Sequence, residues 1–183
     1  MIARRNILGS AAAAALALTL SAAPAVADPS AALAALQETV LSKGPSGEEP
    51  SPATDLKLSA AEIDQIKAMN ATAAIVMHYA GNDWSRAQIE GLKFQFGELG
   101  IEVIAVTDAG FKPEKQVADI ETIMARKPDI IVSVPTDPSA TAAAYMAAAA
   151  AGVKIVFMEN TPPGMTAGVD YVSVVSADNY GNG

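Results

Sequence analysis

The stretch IIVSVPTDPSATAAAYMAAAAAGVKIVF, residues 130–157, decides the fold. It opens on a β-branched run, Ile130-Ile131-Val132, and passes through Pro135-Thr136-Asp137-Pro138 into an Ala-rich tract over 140–151. Gly152 then precedes a second apolar run, Val153-Lys154-Ile155-Val156-Phe157. Continuous β-branched runs suit strands buried on both faces. Asp137-Pro138 is an N-cap followed by a proline at the first helical position, and glycine ends helices, so the segment between the runs reads as a helix. The Ala tract is then a closely packed helix covering a sheet, and the whole stretch is one parallel strand–helix–strand unit.

The same grammar repeats outward. Ala74-Ile75-Val76-Met77 and Val103-Ile104-Ala105-Val106 read as strands upstream, and Tyr171-Val172-Ser173-Val174-Val175 as a strand downstream. Ile89, Leu92, Phe96 and Leu99 recur at helical spacing before Gly100, and Val117, Ile120 and Met124 do so between Pro113 and Pro128. The expected fold class is therefore α/β, a parallel right-handed sheet flanked by helices, over residues 71–183. Residues 28–70 read as a leader: a short helix over Ala31–Leu41, an irregular linker over Gly44–Ala53 with Pro45, Pro50 and Pro52, and a helix opened by the capping box Ser59 and Glu62 that runs to about Met69.

Residues 1–27 read as an address rather than as part of a fold. Arg4-Arg5, an uncharged apolar run over Ala11–Leu20 and Ala25-Val26-Ala27 before Asp28-Pro29 follow the order of a secretory signal, with cleavage expected after Ala27. The run is shorter and less hydrophobic than a spanning helix needs. Arg4-Arg5-Asn6-Ile7-Leu8 also resembles a twin-arginine signal, with Ala3 and Gly9 departing from that pattern, so the Sec and Tat routes both stay open.

Composition narrows the function classes. The 183 residues include 51% hydrophobic and 17% charged side chains, enough for a core and not the composition of a disordered chain. A formal charge of −8 fits neither nucleic acid nor an anionic membrane as partner. The absence of cysteine removes disulfides, thiolate chemistry, Cys-ligated metals and the acylated cysteine of a lipoprotein, and a single His leaves few metal options. No cofactor is expected. The glycine fingerprint of dinucleotide binding, the P-loop, the nucleophile elbow and H-E-x-x-H are all missing, so the chain does not read as an enzyme. Together these features describe an acidic, exported protein, located in the periplasm.

In open parallel sheets ligands bind outside the carboxyl ends of the strands, so the loops after each apolar run carry the candidates. After the first run, Asn82, Asp83 and Trp84 stand together, residue types that hydrogen-bond the hydroxyls of a sugar and stack on its C–H face. Asp137 follows the third run, Glu159 and Asn160 the fourth, and Asp178 the fifth. Each has a plainer reading: Asn82, Asp83 and Asp137 as helix caps, Trp84 as a packing residue, and Asp178-Asn179 as a turn. His78 reads as part of the strand end, and Phe111 and Met158 as packing residues.

Taken in order, several segments carry a resemblance. They are Asn82-Asp83-Trp84, the helix ending at Gly100-Ile101, Lys115-Gln116 ahead of Asp119-Ile120, Lys127-Pro128-Asp129-Ile130-Ile131 and Val134-Pro135-Thr136-Asp137. Ala151-Gly152-Val153-Lys154-Ile155-Val156 and Val174-Val175-Ser176-Ala177-Asp178-Asn179 complete the series. The region from Ala73 to Gly183 resembles the first lobe of the type I periplasmic sugar-binding proteins of ABC transporters, the ribose- and galactose-binding type. The resemblance implies a protein that closes over a sugar or polyol and delivers it to an inner-membrane permease, a monomer when full length. It implies that Asn82, Asp83 and Trp84 form the first ligand loop, that Asp137 accepts from sugar hydroxyls, and that Glu159 and Asn160 lie in a further ligand loop that here lacks arginine. It places Asp178 in the crossover to a second lobe. The family continues into that lobe where this chain stops, so a fragment with an exposed sheet edge is expected. Two relatives in function remain as alternatives, a periplasmic sensor or chemoreceptor binding protein, and the effector domain of a LacI-type regulator, which the export signal disfavours.

Overall fold

Thr72–Met77 (β1) explains the architecture, because its side chains alternate between two separate cores. A computed structural model describes residues 28–38, 42–44, 47–51 and 55–177. Ala74 and Val76 point into one core with Ile131, Ile155 and Phe157, beneath Ile120 and Ile123 of α4 (Pro113–Met124) and Tyr145 and Ala148 of α5 (Pro138–Ala150). Ala73, Ile75 and Met77 point into the other with Val132, against Ile89 and Phe96 of α3 (Asp83–Glu98) and Ile66 of α2 (Ala60–Ala68). A strand covered on both faces has no polar position to spare, hence its unbroken apolar run.

The sheet is parallel throughout, in the order β2-β1-β3-β4-β5, with β2 at Glu102–Asp108, β3 at Ile130–Ser133, β4 at Lys154–Met158 and β5 at Ser173–Val175. The fold class read from the sequence is thus the observed one. Two strand readings need correction. Val103–Val106 lies in an edge strand and not between two neighbours, so its residues are half-buried and Val106 is exposed. Tyr171 and Val172 are outside β5: Tyr171 packs its ring edge-on to Phe157, while Val172 is exposed.

The helix ends follow local chemistry. Ser59 and Glu62 form the expected reciprocal capping box on α2, and Gly100 and Gly152, at φ +67° and +90°, take the left-handed turn beyond α3 and α5. The chain divides after Gln37, and the first unit carries most of α1 (Pro29–Glu38), which begins before the expected Ala31; residues 39–41 of the expected helix lie outside the described residues. The described part of the linker, 42–44 and 47–51, has no helix or strand. The signal segment 1–27 lies outside the described residues, and no helix among those described is long and apolar enough to cross a membrane.

Candidate functional site

Strand order reverses once, between β1 and β3: β2 lies on one side of β1, and β3, β4 and β5 follow on the other. At such a switch point the connections leave toward opposite faces of the sheet, and a crevice opens at the carboxyl ends. Bordering it are the segments after β1 and β3, with Asn82 and Asp137 at the helix caps and Asp83 and Trp84 in the first turn of α3.

Both short polar residues cap helices here. Asn82 Oδ1 accepts the Ser85 N–H at 2.8 Å and starts α3. Asp137 Oδ1 accepts from the N–H groups of Ser139 at 2.9 Å and Ala140 at 3.0 Å and starts α5. The second carboxylate oxygen of Asp137 takes no hydrogen bond among the described residues, so capping uses only half of the acceptor capacity of this exposed side chain. The segment leading to it is pinned from below: the fully buried Gln116 of α4 donates through Nε2 to the Val134 carbonyl at 2.9 Å and accepts at Oε1 from the Thr136 N–H at 2.7 Å. Asp83 is turned to solvent in an ion pair with Arg86. Trp84 is 44% exposed.

The loop after β2 joins the rim. The Ala109 N–H donates to the Met77 carbonyl at 3.0 Å and the Phe111 N–H to the His78 carbonyl at 2.8 Å, while Asp108 Oδ1 accepts the Gly110 N–H at 2.8 Å. Phe111 thereby occupies the left-handed region at φ +60° and lays its ring on Tyr79, with centroids 4.8 Å apart and planes 17° apart. His78 meets Phe111 edge-on at 5.1 Å and Trp84 at 6.2 Å. Burial pushes the His78 imidazole below its ordinary range, opposed by the nearby carboxylates of Asp108 and Glu159. The net direction favours the neutral ring.

After β4, Glu159 is also left-handed, at φ +68°; its N–H donates to the Val175 carbonyl at 3.0 Å and its Oε2 accepts from Ser176 Oγ at 3.1 Å. The other two non-glycine left-handed residues, Asn70 and Lys127, follow the ends of α2 and α4, where the chain ordinarily takes that turn. Phe111 and Glu159 have no such helix-end reason, and backbone held in an unfavourable region concentrates at functional loops. Asp178 lies outside the described residues.

A further pattern is invisible in the sequence. Buried polar atoms without a hydrogen-bond partner include His78 Nδ1, Thr107 Oγ1, Thr136 Oγ1 and Asn160 Oδ1, which sit at the carboxyl ends of β1, β2, β3 and β4 in turn. The structure thus brings candidate residues from three of the five loops to one end of the sheet, and adds His78, Tyr79, Thr136 and Phe111. Phe111, read as a packing residue, is 59% exposed, whereas Met158 is buried as read. The Asp108-Ala109-Gly110 turn is the one sequence signal that foreshadows Phe111. Concavities of about 480 Å³ beside the β2 edge and about 390 Å³ between α4 and α5 are not lined by these loops. Among the described residues no cluster of His, Asp and Glu could hold a metal ion.

No curated protein matches this chain. Solved structures do: an ABC sugar transporter subunit from Rhodobacter sphaeroides is 23% identical with a TM-score of 0.53, covering 60% of this chain and 36% of that one. A sugar-binding protein of a sugar ABC transporter from Bacillus halodurans is 22% identical with a TM-score of 0.54, covering 61% and 37%. The Caulobacter myo-inositol binding protein, bound to myo-inositol, is 20% identical at a TM-score of 0.50, covering 57% and 35%. This chain therefore spans little more than a third of the length of these structures, and at such identities the likeness shows the fold. The model of the periplasmic binding protein domain matches residues 73–183, well over half of the chain, and the chain belongs to that family.

Proposed function

We propose that this chain supplies a ligand-binding face of a solute-binding protein of an ABC-type importer, which captures a neutral sugar or polyol in the periplasm and delivers it to a membrane permease. The observation that carries the reading is the row of unpartnered buried polar atoms along the carboxyl ends of β1 to β4, flanked by the exposed rings of Trp84 and Phe111. Buried polar groups cost free energy unless they are paired, so a row of them on one rim suits a partner rich in hydroxyls. The aromatic rings suit the C–H face of the same molecule. The free oxygen of Asp137, and the carboxylates of Asp108 and Glu159 near His78, favour hydroxyl donors over phosphate or carboxylate ligands. Export through a signal over residues 1–27 and a permease as partner complete the proposal.

The test is calorimetry of the full chain with myo-inositol, L-rhamnose and glycerol at millimolar concentration, alongside a sugar phosphate. Heat with a neutral member, reduced in Asp137→Ala and in Trp84→Ala, is the expected outcome. Binding of the phosphate ester alone, or of no member, would overturn the proposal.

A further inference from the structure

We propose that His78, Trp84, Phe111 and Tyr79 form a pH-sensitive aromatic gate on this rim, closed around the neutral imidazole and opened when that imidazole takes a second proton. What the gate guards rests on the binding reading above; the gate itself rests on the geometry of the cluster.

His78 holds the cluster together. Its ring meets Phe111 at 5.1 Å and Trp84 at 6.2 Å, both edge-on, and Phe111 continues the contact to Tyr79 at 4.8 Å. Edge-on packing of this kind suits neutral rings. The Nδ1 atom is buried and has no partner. In the neutral ring this nitrogen need not carry a hydrogen; in the imidazolium both nitrogens must donate. A buried N–H without an acceptor is the costlier arrangement, and attraction of the cation to the aromatic faces is the opposing effect. Desolvation as the leading influence on His78 places the balance against the charged ring where it stands.

The acceptors that would draw the charged ring away are close. The charged groups facing His78 are Asp108 at the end of β2 and Glu159 after β4. The neighbouring elements add the Asp83–Arg86 ion pair beside Trp84 and Lys112 after Phe111. Asp108 gives Oδ1 to the Gly110 N–H and Glu159 gives Oε2 to Ser176, so each carboxylate keeps its other oxygen for a new donor. Asp108 also braces the turn that carries Phe111 through Oδ1, so a carboxylate that swings toward the charged ring pulls on that turn and on the Tyr79–Phe111 stack.

The chain contains one His and one Trp, so both ends of the contact can be followed without ambiguity. The experiment is a titration of the full chain from about pH 8 to 5, reading the His78 imidazole by proton NMR and Trp84 by its emission. The expected result is a single shared midpoint below 6.5, with the Trp84 transition absent in His78→Gln. Unequal midpoints, or one at or above 6.5, overturn the gate, and the unmutated chain decides this even if the variant fails to fold. Thermal stability supplies the linked readout. The folded value is depressed, so the unfolded chain binds more protons; stability must fall as pH drops through the ordinary histidine range and level off below the folded value. Calorimetry with myo-inositol at about pH 7.5 and 5.5 then separates the two readings. Several-fold weaker binding at the lower pH supports the gate's role at the site, and equal affinity overturns that role. No heat at either pH with the shared midpoint intact removes the sugar-binding reading and leaves the gate in place.

Discussion

At the amino ends of β1 and β3, Asp129 Oδ2 accepts from the Thr72 N–H at 2.7 Å and the Thr72 hydroxyl at 3.0 Å, and the Asp129 N–H donates back to the Thr72 carbonyl at 3.1 Å. The Asp129 carbonyl accepts the Lys154 N–H at 2.9 Å, which ties in β4. At the opposite ends of the same strands, His78 Nδ1 and Thr136 Oγ1 are buried without partners, and Phe111 and Glu159 sit in left-handed backbone. One end spends its polar groups on holding strands in register; the other spends some on caps and turns and leaves several buried atoms without a protein partner. On the proposed binding reading, the contrast separates what folds this region from what binds, and it makes opposite demands on substitutions at the two ends.

The largest expected effect comes from the residue that crosses the divide. Gln116 is fully buried with both its amide nitrogen and its amide oxygen hydrogen-bonded, and what it holds is the carboxyl-end segment Val134–Thr136. Gln116→Leu leaves a carbonyl and an N–H buried without partners, a loss of about 3 kcal/mol in denaturant unfolding. A loss under about 1 kcal/mol would mean that the segment rearranges to water, and that the carboxyl end is softer than its hydrogen bonds suggest. Next in size is Asp129→Ala, expected to cost about 1–2 kcal/mol because the Thr72 groups lose their acceptor. Hydrogen bonds from Thr72 hold the Asp129 carboxyl below its ordinary range. Its stabilisation is therefore present above the ordinary aspartate value and is lost as pH falls through the lowered native one, and the acid limb of a stability–pH profile should flatten in the variant.

Legibility follows the same division. The central strand β1 can be read directly, because burial on both faces leaves an unbroken apolar run, and the caps Ser59, Asn82 and Asp137 can be read because their partners lie within three residues. An edge strand cannot: Val103–Val106 has the composition of a central strand, and only its long-range pairing, with β1 alone, leaves Val106 exposed. The run at Tyr171 misleads for a different reason, since its apolar content fills the core from a loop. The aromatic rim is out of reach of sequence reasoning because Phe111 meets Tyr79 only when the parallel register sets Met77 opposite Asp108. The unpartnered polar atoms are likewise a property of packing, and no residue pattern announces them.

The smaller effects test the open end. Asp137→Ala should cost about 1 kcal/mol through the lost cap of α5, whereas Asp137→Ser should keep most of that stability, because serine caps about as well. If the free oxygen of Asp137 is also a ligand acceptor, Asp137→Ser nevertheless loses binding to myo-inositol while its unfolding midpoint stays near that of the unmodified chain. Retained binding in the serine variant would assign Asp137 to the helix alone.

Smallest in stability is Trp84→Ala: the ring is 44% exposed, and exposed substitutions fall within about 0.5 kcal/mol. Its effect belongs to the ligand, where aromatic stacking by analogy with nucleic-acid bases is worth about 1–3 kcal/mol. The pair of numbers sharpens the comparison more than either alone. A variant that leaves the unfolding curve unchanged and weakens sugar binding tenfold or more behaves as the carboxyl end should, whereas one that loses stability without losing affinity makes Trp84 a packing residue and moves it to the folding half of the molecule.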